Sequence, residues 1–188
     1  MSFFTKFTYI PRKAKTENGI YDHIIAHRGY HFKYPENSIP AYIEALKRND
    51  SIELDIRLTK DGIIVCIHDR YAKRLLGAKG KTSNMTYKQI EKCTILKSKD
   101  KVPTLKDVLD LVNGKVALLI EVKGLMNDKF ENKIVNMINE YEGIVFFHAK
   151  NIITYFRLKK IYGDKVFWIL NVFRRRFDFI KVKRRKNK

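Results

Sequence analysis

Cysteine is scarce in this chain: two in 188 residues, Cys66 and Cys93. That excludes a disulfide scaffold and fits a reducing compartment. Cys66 lies in an apolar run and reads as a small buried hydrophobe. Nine glycines and four prolines are too few for a collagen-like repeat. No apolar run approaches the ~18 residues of a membrane span. Residues 1–15 hold no apolar core and no small-residue cleavage site. No signal peptide is therefore read, and the expectation is a cytoplasmic protein. Acidic residues are also short, 20 against 39 Lys and Arg, for a formal net charge of +19. Residues 174–188 hold nine Lys and Arg against one Asp, yet without them the body still carries +11. Such a field favours anionic partners: phosphate esters, an anionic membrane surface or nucleic acid.

What remains is ordinary globular composition, 45% hydrophobic and 31% charged. It suits one domain with a sizeable core, since a chain of this length buries roughly 70% of its unfolded surface. Short apolar runs alternate with helical patterns. Strands are expected at 22–28, 51–59, 63–69, 116–122, 144–148 and 165–170. Helices are expected at 38–48, from Thr86 and from Thr104 (each opening with a capping box), around 130–141, and at 151–162. Apolar strands separated by helices imply a parallel sheet covered on both faces, so the class is α/β.

Period-2 alternation over residues 51–59 puts Ile52, Leu54, Ile56 and Leu58 on one face and Glu53, Asp55 and Arg57 on the other. A two-residue turn at Asp61-Gly62 pairs Lys60 with Ile63 and hence Asp55 with His68, Leu58 with Val65 and Ile56 with Ile67. The polar face then gathers Glu53, Asp55 and His68. Such a face is either the solvated side of a hairpin or a site for a hard divalent cation with a histidine for proton transfer. His27 and Arg28 end the first strand, where α/β folds place active sites. Asn37 and Ser38 read as a turn and helix cap. Glu121 and Lys123 close an apolar strand, where an acid is costly without a cation. His23, His31 and His148 have no companions and read as structural. The aromatics from Phe146 to Phe156 read as core.

These pieces, taken in order, resemble the glycerophosphodiester phosphodiesterases. The motifs are His27-Arg28-Gly29, Pro35-Glu36-Asn37-Ser38, Glu53-Leu54-Asp55, Thr59-Lys60-Asp61-Gly62, His68-Asp69, Pro103-Thr104-Leu105 and Leu119-Ile120-Glu121-Val122-Lys123. The resemblance is dense over 22–124 and looser over 125–170. It implies a TIM-barrel fold with a β-hairpin and small insertion at the second strand. It further implies that Glu53, Asp55 and Glu121 hold Mg²⁺ or Ca²⁺, that His27 and His68 form the acid–base pair, and that Arg28 and Lys123 hold phosphate oxygens.

Two departures stand out. Five barrel strands are counted where a full barrel has eight, and such barrels take ~200 residues or more. The family's Trp-Thr-x-Asn-like and Gly-x-Asp strands are replaced by the basic tail. The family's Ser-Phe after the fourth strand is His148-Ala149 here. The expected organisation is one shortened domain over 1–173, with the insertion at 57–103 and the tail at 174–188. The expected function is metal-dependent hydrolysis of a small anionic glycerophosphodiester to glycerol 3-phosphate and an alcohol, in lipid metabolism. The alternative is an inactive remnant that binds anionic lipid or a partner protein. Open sheet edges invite a second copy. No RNA-recognition motif or zinc spacing supports specific nucleic-acid binding.

Overall fold

The structure, a computed structural model, describes residues 25–168. The expected strand residues 22–24 and 169–170, His23 and the basic tail lie outside the described residues. Five parallel strands form the sheet: β1 (Ile25–His27), β2 (Ser51–Leu58), β4 (Leu118–Val122), β5 (Val145–Ala149) and β6 (Val166–Trp168), in that spatial order. β3 (Ile64–Cys66) pairs antiparallel with the end of β2. Because Ile56 meets both Val122 and Cys66, β3 must lie on the edge of β2 opposite β4. That is the edge β1 occupies lower down. Among the described residues β1 and β6 do not pair, so the fold is five strands of an α/β barrel architecture without closure.

Four helices link the strands: α1 (Ile39–Lys47), α4 (Leu105–Val112), α5 (Asp128–Asn139) and α6 (Ile152–Tyr162). Each starts where the sequence supplies a cap. Ser38 accepts from the Ala41 amide, Asn127 from Phe130 and Asn151 from Thr154. Both expected capping boxes form, at Thr86 and Thr104. The apolar face of β2 (Ile52, Leu54, Ile56) joins Leu118, Ile120 and Phe147 beneath Tyr42, Val108, Phe130 and Leu158 from the four helices. Alternation therefore sends Glu53, Asp55, Glu121 and His148 to the opposite face.

The hairpin register differs by one residue from the expected pairing: Ile56 faces Cys66 and Leu58 faces Ile64. The cause is a three-residue loop. The Thr59 amide donates to Ile63 O at 2.9 Å, and Gly62 takes φ +83°. Face-matching could not detect the shift, because β3 is apolar on both faces. Ile64 and Cys66 join the main core, while Val65 and Ile67 join a second one. That second core also holds Leu75 of α2 (Lys73–Leu76), Ile90 of α3 (Tyr87–Glu91), Ile95 and Val102. The excursion between β2 and α4 is thus a small layer with its own apolar centre. It is tied back by the Cys66 amide donating to Pro103 O at 2.9 Å. No helix among the described residues is long and apolar enough to cross a membrane.

Candidate active site

The site lies at the C-terminal ends of β1, β2, β4 and β5. Parallel register sets its two levels. His27 pairs with Glu53, and one pleat further on Asp55, Glu121 and His148 stand side by side. Strand spacing of ~4.8 Å makes those side chains direct neighbours.

β1 ends in a tight turn. Arg28 takes φ +55° and Gly29 φ +70°. A Cβ on Gly29 would lie 2.8 Å from the backbone of Ala41, so α1 packs directly on the glycine. The turn aims the Arg28 amide at Glu53 Oε2 (2.9 Å) and brings Arg28 Nε to 3.1 Å from Asp55 Oδ2. Arg28 also donates to Glu36 at 2.9 Å. The His27 ring stands at the rim, Nε2 3.8 Å from Glu53. The protein mass behind it disfavours the charged ring and lowers its pKa below the ordinary histidine value, with the Glu53 carboxylate opposing.

Asp55 is fully buried. Its Oδ2 accepts from Asn37 Nδ2 (3.0 Å), and Lys123 Nζ stands 3.0 Å from Oδ1. Burial alone would raise its pKa, but Lys123 and Arg28 outweigh that and hold it at about 2. Lys123 reaches Glu121 as well, at 2.6 Å. Asn37 is therefore more than the turn residue its sequence context suggested. It is buried, it takes φ +54°, and its Oδ1 accepts from both the Asp55 amide and Tyr42 Oη.

His68 follows β3, beyond the ladder, and so is not paired with Asp55 as the expected register had it. It still reaches the same mouth. Arg57 donates to its carbonyl at 2.7 and 3.1 Å, and its Nδ1 lies 2.9 Å from Asp69 Oδ1. Asp69 is held in turn by Arg74 of α2, which also grips Glu36 at 2.8 and 3.0 Å. Burial would raise the Asp69 pKa, and the Arg74 and His68 contacts more than offset it. An open cleft of about 380 Å³ lies between His68, Arg57, Glu121, Lys123 and Lys150. Its cationic walls suit an anionic ligand.

Glu53, Glu121 and His148 form a cluster whose candidate ligand atoms all lie within 4.8 Å of one another, all three residues being buried. The sequence placed Glu53 and Glu121 here. It passed over His148, whose only signal was its place at the end of β5, level with Glu121. Asp55 stands beside this cluster with its oxygens turned to Arg28, Asn37 and Lys123. Of the expected aromatic core, Phe147 is fully buried but Phe156 is exposed on α6.

Parallel strands with alternating helices, and carboxylates, histidines and cations gathered at their C-terminal ends, define an α/β-barrel protein with an acid–histidine site. A sequence model of the glycerophosphoryl diester phosphodiesterase family matches residues 27–162. The chain belongs to that family. A glycerophosphodiester phosphodiesterase of Caldanaerobacter subterraneus is 37% identical over 128 residues, 63% of this chain and 53% of that protein. A crystal structure of a glycerophosphodiester phosphodiesterase from Thermotoga maritima superposes with a TM-score of 0.64 at 28% identity, covering 79% of this chain and 62% of the other. An Oleispira antarctica phosphodiesterase, solved with the product sn-glycerol-3-phosphate, shares the fold (TM-score 0.70, 19% identity, 78% and 64% covered). The chain spans about half the length of the curated relatives it matches.

Proposed function

We propose that this chain hydrolyses glycerophosphodiesters to glycerol 3-phosphate and an alcohol with the help of a divalent cation. The observation that carries the reading is the convergence of His27, Arg28, Glu53, Glu121 and Lys123 at one end of the sheet, beside the cationic cleft that His68 lines. The donor set fits a cation. Buried carboxylates face a histidine whose ring nitrogens have no hydrogen-bond partner among the described residues. Glu53 and Glu121 would hold it, with Asp55 beside them, and three carboxylates alone would suit Mg²⁺ or Ca²⁺. A bound cation supplies Lewis-acid polarisation and charge neutralisation at the phosphoryl group.

The chain's own groups do the rest. Arg28 and Lys123 orient the phosphate oxygens. His27, biased toward its neutral form, takes the proton from the attacking oxygen. His68, its Nδ1 held by Asp69, presents Nε2 to the leaving alcohol and protonates it. The test is glycerol 3-phosphate release from glycerophosphocholine and glycerophosphoethanolamine. Release is expected to vanish with EDTA and to fall by about 100-fold or more in His27→Ala and in His68→Ala. A folded, metal-binding chain that releases nothing from either substrate would instead be a binding module.

A further inference from the structure

We propose that His148 is a direct ligand of the cation, so that the site prefers Zn²⁺ and neighbouring first-row transition ions to Mg²⁺ and Ca²⁺. The inference rests on the cation-assisted reading above and specifies the chemistry of its site.

A buried histidine normally spends both ring nitrogens on hydrogen bonds. The His148 side chain is 5% exposed, and neither Nδ1 nor Nε2 has a hydrogen-bond partner among the described residues. Its Nε2 lies 3.5 Å from Glu53 Oε1 and 3.9 Å from Glu121 Oε2. Those separations are too long for hydrogen bonds. The 3.5 Å separation is close to the roughly 3.4 Å between two donors each ~2.1 Å from a tetrahedral centre, and 3.9 Å lies within the ~4.2 Å that two such donors can span. An orphaned nitrogen between two carboxylates is therefore explained by an ion that all three share.

Backbone register makes this arrangement rather than side-chain chance. Glu121 and His148 are directly paired across β4 and β5, and Glu53 is one pleat below on β2, next to β4. Asp55 Oδ2 is held by Asn37 and lies beside Arg28, while Oδ1, 3.0 Å from Lys123 Nζ, makes no hydrogen bond among the described residues, so Asp55 stands next to the cluster as a further oxygen donor. The resulting set is one imidazole nitrogen with the Glu53 and Glu121 carboxylates, and Asp55 beside them. Mg²⁺ and Ca²⁺ favour all-oxygen shells, whereas imidazole raises affinity for Zn²⁺, Co²⁺ and Ni²⁺.

The experiment uses the full chain, stripped with a chelator and titrated with Zn²⁺, Co²⁺, Mg²⁺ and Ca²⁺ by calorimetry. Bound Co²⁺ is also followed by its visible absorption, and bound Zn²⁺ by X-ray absorption. Wild type is expected to bind Zn²⁺ at least about 100-fold more tightly than Mg²⁺ and to show imidazole scattering around zinc. His148→Ala should lose about 100-fold in Zn²⁺ affinity, lose the imidazole signal and change Mg²⁺ affinity by less than about threefold. His27→Ala should keep the imidazole signal, which separates His148 from the other ring near Glu53. Equal losses for Zn²⁺ and Mg²⁺ in a folded His148→Ala chain, or zinc in wild type without imidazole scattering, overturn the proposal. Because these readouts need no turnover, they are independent of substrate hydrolysis. Undiminished metal binding by Glu53→Gln would sink the cation site itself.

Discussion

Asn37 and Asp55, eighteen residues apart, are joined twice: Asn37 Nδ2 donates to Asp55 Oδ2 at 3.0 Å, and the Asp55 amide donates to Asn37 Oδ1 at 3.1 Å. One side chain before α1 thus sets both the backbone and the carboxylate of the central strand. Asn37 also sits at φ +54°, a conformation asparagine tolerates better than most residues. Asn37→Ala should therefore cost about 2–4 kcal/mol, by stranding buried groups and straining the backbone. Asn37→Gly relieves only the strain and should recover part of that loss. Urea unfolding of the two variants measures the split, and equal stabilities would show that φ carries none of it.

Asp55 predicts an acid-stability limb. Its folded pKa of about 2 lies below its ordinary 3.8. The unfolded chain therefore binds more protons between these values, and stability rises with pH across them. The contribution, roughly 2 kcal/mol, is fully present above about pH 4 and is lost as pH falls through about 2. Asp55→Asn should be less stable at neutral pH, where Arg28 and Lys123 lose their counter-charge, with a flatter profile from pH 4 to 2. Parallel profiles for wild type and variant would show that the cations do not hold Asp55 down.

Arg74 is expected to act on turnover through His68. It fixes Asp69, and Asp69 meets the His68 ring at 2.9 Å. Arg74→Ala should lower kcat by about tenfold with a smaller rise in KM, since Arg74 also holds Glu36, the partner of Arg28. The acid–base limb of the kcat pH profile should move as well. A rise in KM with kcat unchanged would assign Arg74 to binding instead.

Gly29→Ala should destabilise the chain by at least about 2 kcal/mol. The new methyl meets the Ala41 backbone at 2.8 Å, and φ +70° is strained for any residue with a Cβ. Thermal melts of Gly29→Ala and of Gly77→Ala separate the two causes. Gly77 has φ +66° but open space around it, so its loss reads the strain alone.

The strands and helices were legible because alternation and caps are local. Ile52, Leu54 and Ile56 announced one buried face, and Thr104 with Asp107 announced a helix start. Glu53 was legible on the polar face of an alternating strand, and Glu121 as an acid closing an otherwise apolar one. His148 was not, because its meaning depends on the β4–β5 register, which no local pattern encodes. Asn37 was hidden for a related reason. Its cap-like context explained it cheaply, and only the fold brings Asp55 to it. The hairpin register misled because β3 is apolar on both sides, so neither pairing exposed a hydrophobe.

That same strand has a kinetic consequence. Ile64 and Cys66 belong to one core, Val65 and Ile67 to the other, and His68 follows at once. The two cores therefore share a hinge-less seam, and neither can loosen without dragging the other's side chains into water. Amide protons of β3 should exchange with solvent at the global unfolding rate rather than by local opening. On the proposed mechanism, the group that protonates the leaving alcohol would then be anchored to the slowest-exchanging part of the molecule rather than carried on a loop that breathes by itself.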